Sequence, residues 1–436
     1  MPESPEAPEL PELPELPLLQ HPRVASRLIA DENTLQDAVS ILKASSGSIA
    51  IDAERASGFK YSQRAYLIQI RAENSEIFLI DPVATPEMAT SKAFQDLAAL
   101  MQDREWILHA ATQDLPCLNE LGLYPGSIFD TELAGRLAGA PRVGLGALTE
   151  SLLKFRLAKE HSAADWSTRP LPESWLNYAA LDVDVLHELA SAVKELLNQQ
   201  GKLDWANQEF ESLMSFKPKP QRSDKWRGIS GLHKVQDRLS HEIARQLWIA
   251  RESLAQKMDV APGRLIPDSS ILVAATQKPR SRPELAAMKS FSGRQSRSYL
   301  DHWWDAVQSA LKATELPSLK PEKTDAIPNH RNWIAKFPEA DRRLKHAKAS
   351  LIELSEEKLV PLENLLTPEI LRQVCFTPPE NLANETLSAK LHELGARNWQ
   401  VELTAQLIVE AFILAKTAPV DQTAADLLAS DEHEEL

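Results

Sequence analysis

The chain has 436 residues, with 48 Lys/Arg against 62 Asp/Glu and a formal net charge of −14 at pH 7. It is 43% hydrophobic and 25% charged, and no run approaches the ~18 apolar residues of a membrane span. A soluble protein of two or three domains is therefore expected.

The two cysteines, Cys117 and Cys375, form no CxxC pair. A disulfide framework and a zinc site are not expected, and with no basic-plus-apolar leader a reducing cytoplasm is the expected compartment. The negative charge is concentrated at the ends. Residues 1–17 carry five Glu and residues 417–436 six Asp/Glu, with no Lys or Arg in either, whereas 221–312 hold 16 Lys/Arg against 9 Asp/Glu. A basic module inside an acidic chain suits a polyanionic partner.

In chain order, Pro recurs at every third position from Pro2 to Pro17 with Glu between, a stiff acidic polyproline arm without a core. Folded structure is expected from about Arg27. Residues 34–44 read as a helix with Asp31 or Asn33 as its cap. Apolar runs at 48–55, 66–72 and 77–83 read as antiparallel strands, 91–101 as a helix and 106–110 as a strand. Helices are expected over 114–121, 130–137, 145–155 and 173 to about 198. This predicts a mixed sheet flanked by helices.

A Pro- and Lys-rich break (FKPKPQRS) precedes regions with helical patterning only, and a second Pro-containing linker divides them. The divisions are an acidic arm at 1–26, an α/β domain at 27–212, a linker at 213–229 and a helical domain at 230–312. A linker at 313–332, a second helical domain at 333–416 and an acidic tail at 417–436 follow. Leu265-Ile-Pro-Asp-Ser-Ser-Ile-Leu lines up with Leu365-Leu-Thr-Pro-Glu-Ile-Leu, which predicts a duplicated helical domain.

Chemistry is concentrated in Ser48-Ile-Ala-Ile-Asp52-Ala-Glu54-Arg55. On a strand, residues i and i+2 share a face, so Asp52 and Glu54 project together, and paired carboxylates invite a cation. Two further groups lie downstream. Asp114 follows a strand end in the first turn of a helix, where ligand groups gather in α/β folds. In Tyr178-Ala-Ala-Leu-Asp182 the phenol and carboxylate share a helical face. Asp184 falls on another face and is expected to be solvated. The set Asp52, Glu54, Asp114 and Asp182 makes a hard-oxygen cage for two Mg²⁺ or Mn²⁺ ions.

This order of motifs resembles the DEDD 3′–5′ exonuclease superfamily in its Tyr-containing subgroup, on an RNase H-like fold, and in particular the ribonuclease D family. His109-Ala-Ala-Thr-Gln-Asp114-Leu, Phe129-Asp130-Thr131 and Asp165-Trp166-Ser-Thr-Arg169-Pro170-Leu171 carry the likeness over about residues 30–200. The two helical regions resemble the HRDC domains that follow this nuclease, the first more closely. The resemblance implies that Asp52 bridges both ions, Glu54 and Asp182 complete the site that activates water, Asp114 serves the second ion, and Tyr178 orients the water. It also implies hydrolysis from the 3′ end of single-stranded RNA such as tRNA precursors. Asp130 and the DWSTRPL segment take a supporting, structural role; His109 is either a packed strand-end residue or a substrate contact.

Lys278, Arg280, Arg282, Lys289, Arg294 and Arg297 cluster around two loops of the first helical region, with Phe291, Tyr299, Trp303 and Trp304 interleaved. Basic residues among stacking aromatics mark nucleic-acid grooves, which makes these six candidate contacts. Of Trp303 and Trp304, adjacent on a helix, at most one is expected to be fully buried. The alternatives are a DNA exonuclease and a non-catalytic nucleic-acid scaffold. No GxxxxGKS/T pattern is present, so the chain is not a helicase.

Overall fold

The computed structural model describes residues 16–158, 163–218, 224–320 and 327–417. The chain begins with a two-residue strand, β1 (Leu18–Leu19), and an edge strand, β2 (Ser26–Ile29), before helix α1 (Glu32–Ala44). Strands β3 (Ile49–Arg55), β4 (Ala65–Ala72) and β5 (Ile77–Ile80) follow, then α2 (Lys92–Gln102), β6 (Glu105–Leu108), α3 (Leu115–Glu120) and β7 (Ser127–Asp130). The α/β domain continues with α4 (Thr131–Leu137), α5 (Leu145–Leu148), β8 (Arg156–Leu157), α6 (Glu173–Asp184), α7 (Leu186–Gln199) and α8 (Leu203–Met214). The sheet order is β2-β5-β4-β3-β6-β7. As expected, β3, β4 and β5 are antiparallel neighbours, while β6 and β7 join in parallel, giving a mixed sheet with helices on both faces.

Alternation along β3 decides where the carboxylates go. Ile49, Ile51 and Ala53 enter a core shared with Leu35, Val39 and Leu42 of α1 and Phe94 and Leu97 of α2. Ala50, Asp52 and Glu54 therefore face the other way, toward the side that α6 crosses. Each buried Ile contributes about 1.5–3 kcal/mol. A one-residue slip would push both carboxylates into the apolar core, so the apolar face fixes the register of the acidic one. Asp31 caps α1, accepting from the Thr34 amide at 2.9 Å.

Several expectations need correcting. Residues 16–26 of the expected arm are structured: β1 pairs in parallel with β8, and Arg23 binds Asp184. Strands β2 and β7, four residues each, had not been expected, being too short for an alternating pattern to stand out. The helix expected over 145–155 is the single turn α5 followed by a π-helical turn, Thr149–Leu153. The long helix expected from 173 breaks at Val185. There the Asp184 carbonyl accepts from Arg23 Nη2 at 2.8 Å and from Arg71 Nη1. Most of the polyproline arm, the acidic tail beyond 417 and parts of both linkers lie outside the described residues.

The first helical module comprises α9 (Arg238–Met258), α10 (Pro262–Leu265), α11 (Asp268–Gln277), α12 (Arg282–Ala287), α13 (Arg294–Ser298) and α14 (Leu300–Lys312). The second comprises α15 (Trp333–Lys336), α16 (Pro338–Lys358), α17 (Leu362–Leu365), α18 (Pro368–Phe376), α19 (Asn384–Glu393) and α20 (Asn398–Thr417). The duplication is visible in the corner that each module shares. Both α9 and α16 have 21 residues and end in a left-handed residue, Asp259 (φ 49°) or Leu359 (φ 51°), before a four-residue helix.

Both corners dock on the α/β domain. Asp259 accepts from the Ser62 amide of the β3–β4 loop at 2.8 Å and from the Tyr66 hydroxyl of β4 at 3.3 Å. Leu359 packs its carbonyl against Gly139, where a Cβ would come within 2.7 Å of it. The second module is also held by Arg397, paired with buried Glu209, and by Trp399, stacked on Trp205 with ring centroids 5.0 Å apart. It shares one continuous apolar core with the α6–α8 side of the sheet, whereas the first module has its own core.

Candidate metal centre

The site forms where the acidic end of β3 meets α6. Asp52, Glu54 and Asp182 each offer a carboxylate oxygen, and all three oxygens lie within 4.8 Å of one another. A bulge helps shape this end of the sheet. Glu54 pairs with Leu67 but Arg55 with Ala65, so Tyr66 is an extra residue on β4. The Tyr66 carbonyl accepts from Arg169 Nη2 at 2.8 Å.

Asp114 falls outside that group of three but touches it, its carboxyl sharing a hydrogen bond with that of Asp52. It is buried at the start of α3, with Arg55 Nη2 3.5 Å from its Oδ1. The loop before it turns through Ala110 in the left-handed region (φ 61°), a cost for a residue with a side chain. Asp130 holds that turn: its carboxylate accepts from the amides of Ala110 (3.1 Å), Ala111 (2.8 Å), Glu132 (2.9 Å) and Leu133 (3.1 Å). It thus ties the β6 end to the α4 N-terminus, and its structural role is clear.

His109 is a packed strand-end residue. The Thr131 hydroxyl donates to the Leu108 carbonyl at 3.0 Å, leaving an oxygen lone pair for His109 Nδ1–H at 2.9 Å. Burial lowers its pKa to about 4, so the ring is neutral.

Burial and mutual repulsion make the centre hold protons. Burial first, then the charges of Asp52, Asp182 and Asp114, push Glu54 up to about 10. Burial, followed by the Asp52 charge, raises both Asp182 and Asp114 well above the carboxylate range, and burial raises Asp52 too. Tyr178, on the same helical face as Asp182, is raised by burial and then by Asp182, Glu54 and Asp52, so its phenol keeps its proton. Four carboxylates offering hard oxygens, beside Arg55 as the guanidinium that compensates them among the described residues, fit divalent cations. All five expected site residues converge here. Arg55, adjacent to the motif, carried no expected role, and no local sequence signal shows that it meets Asp114.

Asp184 corrects the sequence reading: it is fully buried, not solvated. It accepts from Arg23 Nε at 2.8 Å and Arg71 Nη1 at 3.1 Å, anchoring the C-terminal end of α6. DWSTRPL is a clasp. Trp166 is fully buried and packs edge-on to Trp175, and Arg169 pairs with Asp81 through Nε at 2.6 Å and Nη2 at 2.7 Å.

The six candidate nucleic-acid contacts are not equivalent. Lys278 pairs with Asp237 at 2.5 Å and Arg282, itself exposed, with Asp301; Arg280, Lys289, Arg294 and Arg297 are exposed as well. Phe291 and Trp303 are core residues; Tyr299 and Trp304 are half-buried, so one of the paired tryptophans is buried as expected.

Comparison with known proteins agrees with this geometry. Residues 26–198 match the family described as 3′-5′ exonuclease, 240–307 the HRDC domain, and 326–412 the 3′ to 5′ exonuclease C-terminal domain. Ribonuclease D of Zymomonas mobilis is 31% identical over 304 residues, covering 68% of this chain and 76% of that protein. The chain belongs to the ribonuclease D family. A crystal structure of a protein from Bifidobacterium adolescentis is 36% identical, with a TM-score of 0.82 over 92% of this chain and all of that one. Escherichia coli RNase D shares the ribonuclease D fold at 23% identity, with a TM-score of 0.61 over 85% of this chain and 98% of that one.

Proposed function

We infer that this chain is a metal-dependent 3′–5′ exoribonuclease that hydrolyses phosphodiester bonds from RNA 3′ ends. The observation that carries the reading is the convergence of Asp52, Glu54 and Asp182 within 4.8 Å, beside Asp114 and Tyr178, in a member of the ribonuclease D family. Asp52, Glu54, Asp114 and Asp182 would hold two ions, Mg²⁺ or Mn²⁺. When bound they supply the positive charge that stabilises the attacking and leaving oxygens of a phosphodiester.

The protein's own groups do the positioning. Tyr178, protonated throughout the working range, holds the attacking water by a hydrogen bond on the Glu54–Asp182 side. Water adds to phosphorus, the P–O3′ bond breaks, and a 5′-mononucleotide leaves a chain shortened by one with a free 3′-hydroxyl. Single-stranded 3′ ends such as those of tRNA precursors suit a site fed by an accessory basic module. The test is release of label from 3′-labelled RNA and DNA oligomers with Mg²⁺, Mn²⁺ or EDTA. Metal-dependent release faster from RNA supports the reading; faster release from DNA makes this a DNA exonuclease, and no release defeats the enzyme reading.

A further inference from the structure

One buried side chain on the acidic face of the sheet is neither a metal ligand nor part of the apolar core. Gln69 of β4 is the cross-strand partner of Asp52, so the two share a face with their Cβ atoms about 5 Å apart. It is fully buried, and neither amide atom has a hydrogen-bond partner among the described residues. On its other side it pairs with Leu79 of β5, while α6 covers this face with Ala179, Ala180 and Val183. Away from Asp52 and Arg71 its neighbours, Leu79 and the α6 side chains, are apolar, so packing against them alone would select an apolar residue. A buried amide without a partner is costly and calls for a specific reason.

A second observation lies two residues along the strand, on the same face. Arg71 donates through Nη1 to Asp184, yet its buried Nε also has no partner among the described residues. Three polar atoms thus line one covered strip running from the Asp184 anchor to Asp52. A polar strip of this kind is where ordered water is held.

We propose that Gln69 is a positioning residue of the metal centre, its Nε2 donating through an ordered water to the Asp52 carboxylate. Its Oε1, tied through a second water to Arg71 Nε, fixes which way the amide points. Such an outer partner restrains a ligating carboxylate and strengthens metal binding. The inference rests on Asp52 being a metal ligand.

The test uses the full chain with Gln69→Met and Gln69→Leu, both near in volume and neither able to form the hydrogen bond. Mn²⁺ affinity is measured by calorimetry, alongside the melting temperature without metal. The expected result is a 10- to 100-fold loss of Mn²⁺ affinity in both, by about the factor typical of such partners, with metal-free melting unchanged or raised. Wild-type affinity in a folded variant overturns the proposal. So does lower metal-free melting with affinity intact, or failure of both variants to fold, since the amide then serves the fold. If the wild type takes up no Mn²⁺, the metal reading itself fails and this inference falls with it.

Discussion

Asp52 on β3 and Asp182 on α6, far apart in sequence, bring carboxylate oxygens within 4.8 Å of each other, with Glu54 completing the group. Such proximity between like charges is a cost built into the fold, and it can be measured.

The metal-free protein should lose stability as pH rises. The folded-state pKa values of these carboxyls lie above their unfolded values, with Glu54 at about 10. Between the ordinary carboxylate range and those raised values the folded state binds more protons than the unfolded one, so stability is present at acid pH and falls through that window. Melting in EDTA should therefore decline from about pH 5 to pH 9, and Mn²⁺ should restore more of it at the alkaline end. A flat profile in EDTA would contradict this.

Asp52→Asn should separate activity from stability. Removing a ligand should cost more than the roughly 10- to 100-fold typical of an outer-sphere partner. The same change removes one of the repelling charges, so metal-free melting should rise. Retained activity, or lower melting, would count against the assignment.

Tyr178→Phe keeps the ring and deletes the hydroxyl. Removing one positioned hydrogen bond in a reacting site costs about 10²–10³-fold in kcat, with KM and Mn²⁺ affinity near wild type. A change in Mn²⁺ affinity alone would place Tyr178 in the metal shell instead.

The exposed basic residues should act through charge. Replacing Lys289, Arg294 and Arg297 together by Gln should raise KM for RNA. It should also flatten the salt dependence of binding, by about 0.7 in log–log slope for each phosphate no longer neutralised. Lys278→Gln or Arg282→Gln should do less, because Asp237 and Asp301 already engage those side chains.

Gly139→Ala should loosen the second helical module. Gly139 has φ +80°, and a Cβ there would come within 2.7 Å of the Leu359 carbonyl. The backbone conformation alone costs about 1–2 kcal/mol for a residue with a side chain. Faster proteolysis at the junction and a lower melting temperature should follow, with activity on short RNA largely kept.

What the sequence revealed and what it hid have physical reasons. Asp52, Glu54, Tyr178 and Asp182 were legible because strand and helix periods are short and place such pairs on one face. Asp114 was legible from its position after a strand end. Asp184 was misread because helical phase predicts a face but not what covers it, and Arg23 and Arg71 arrive from distant segments. The break at Val185 has the same cause, since both arginines meet the Asp184 carbonyl there. Arg55 and Gln69 owe their settings to the β3–β4 register, which periodicity alone does not give.

The most direct measurement is a time course on 5′-labelled single-stranded RNA with Mg²⁺ or with EDTA, using wild type and Asp52→Asn. A ladder shortening one nucleotide at a time from the 3′ end, with 5′-mononucleotides released by wild type only when metal is present, is the predicted result. Internal cleavage, EDTA-resistant shortening, or an equally active Asp52→Asn protein would contradict it.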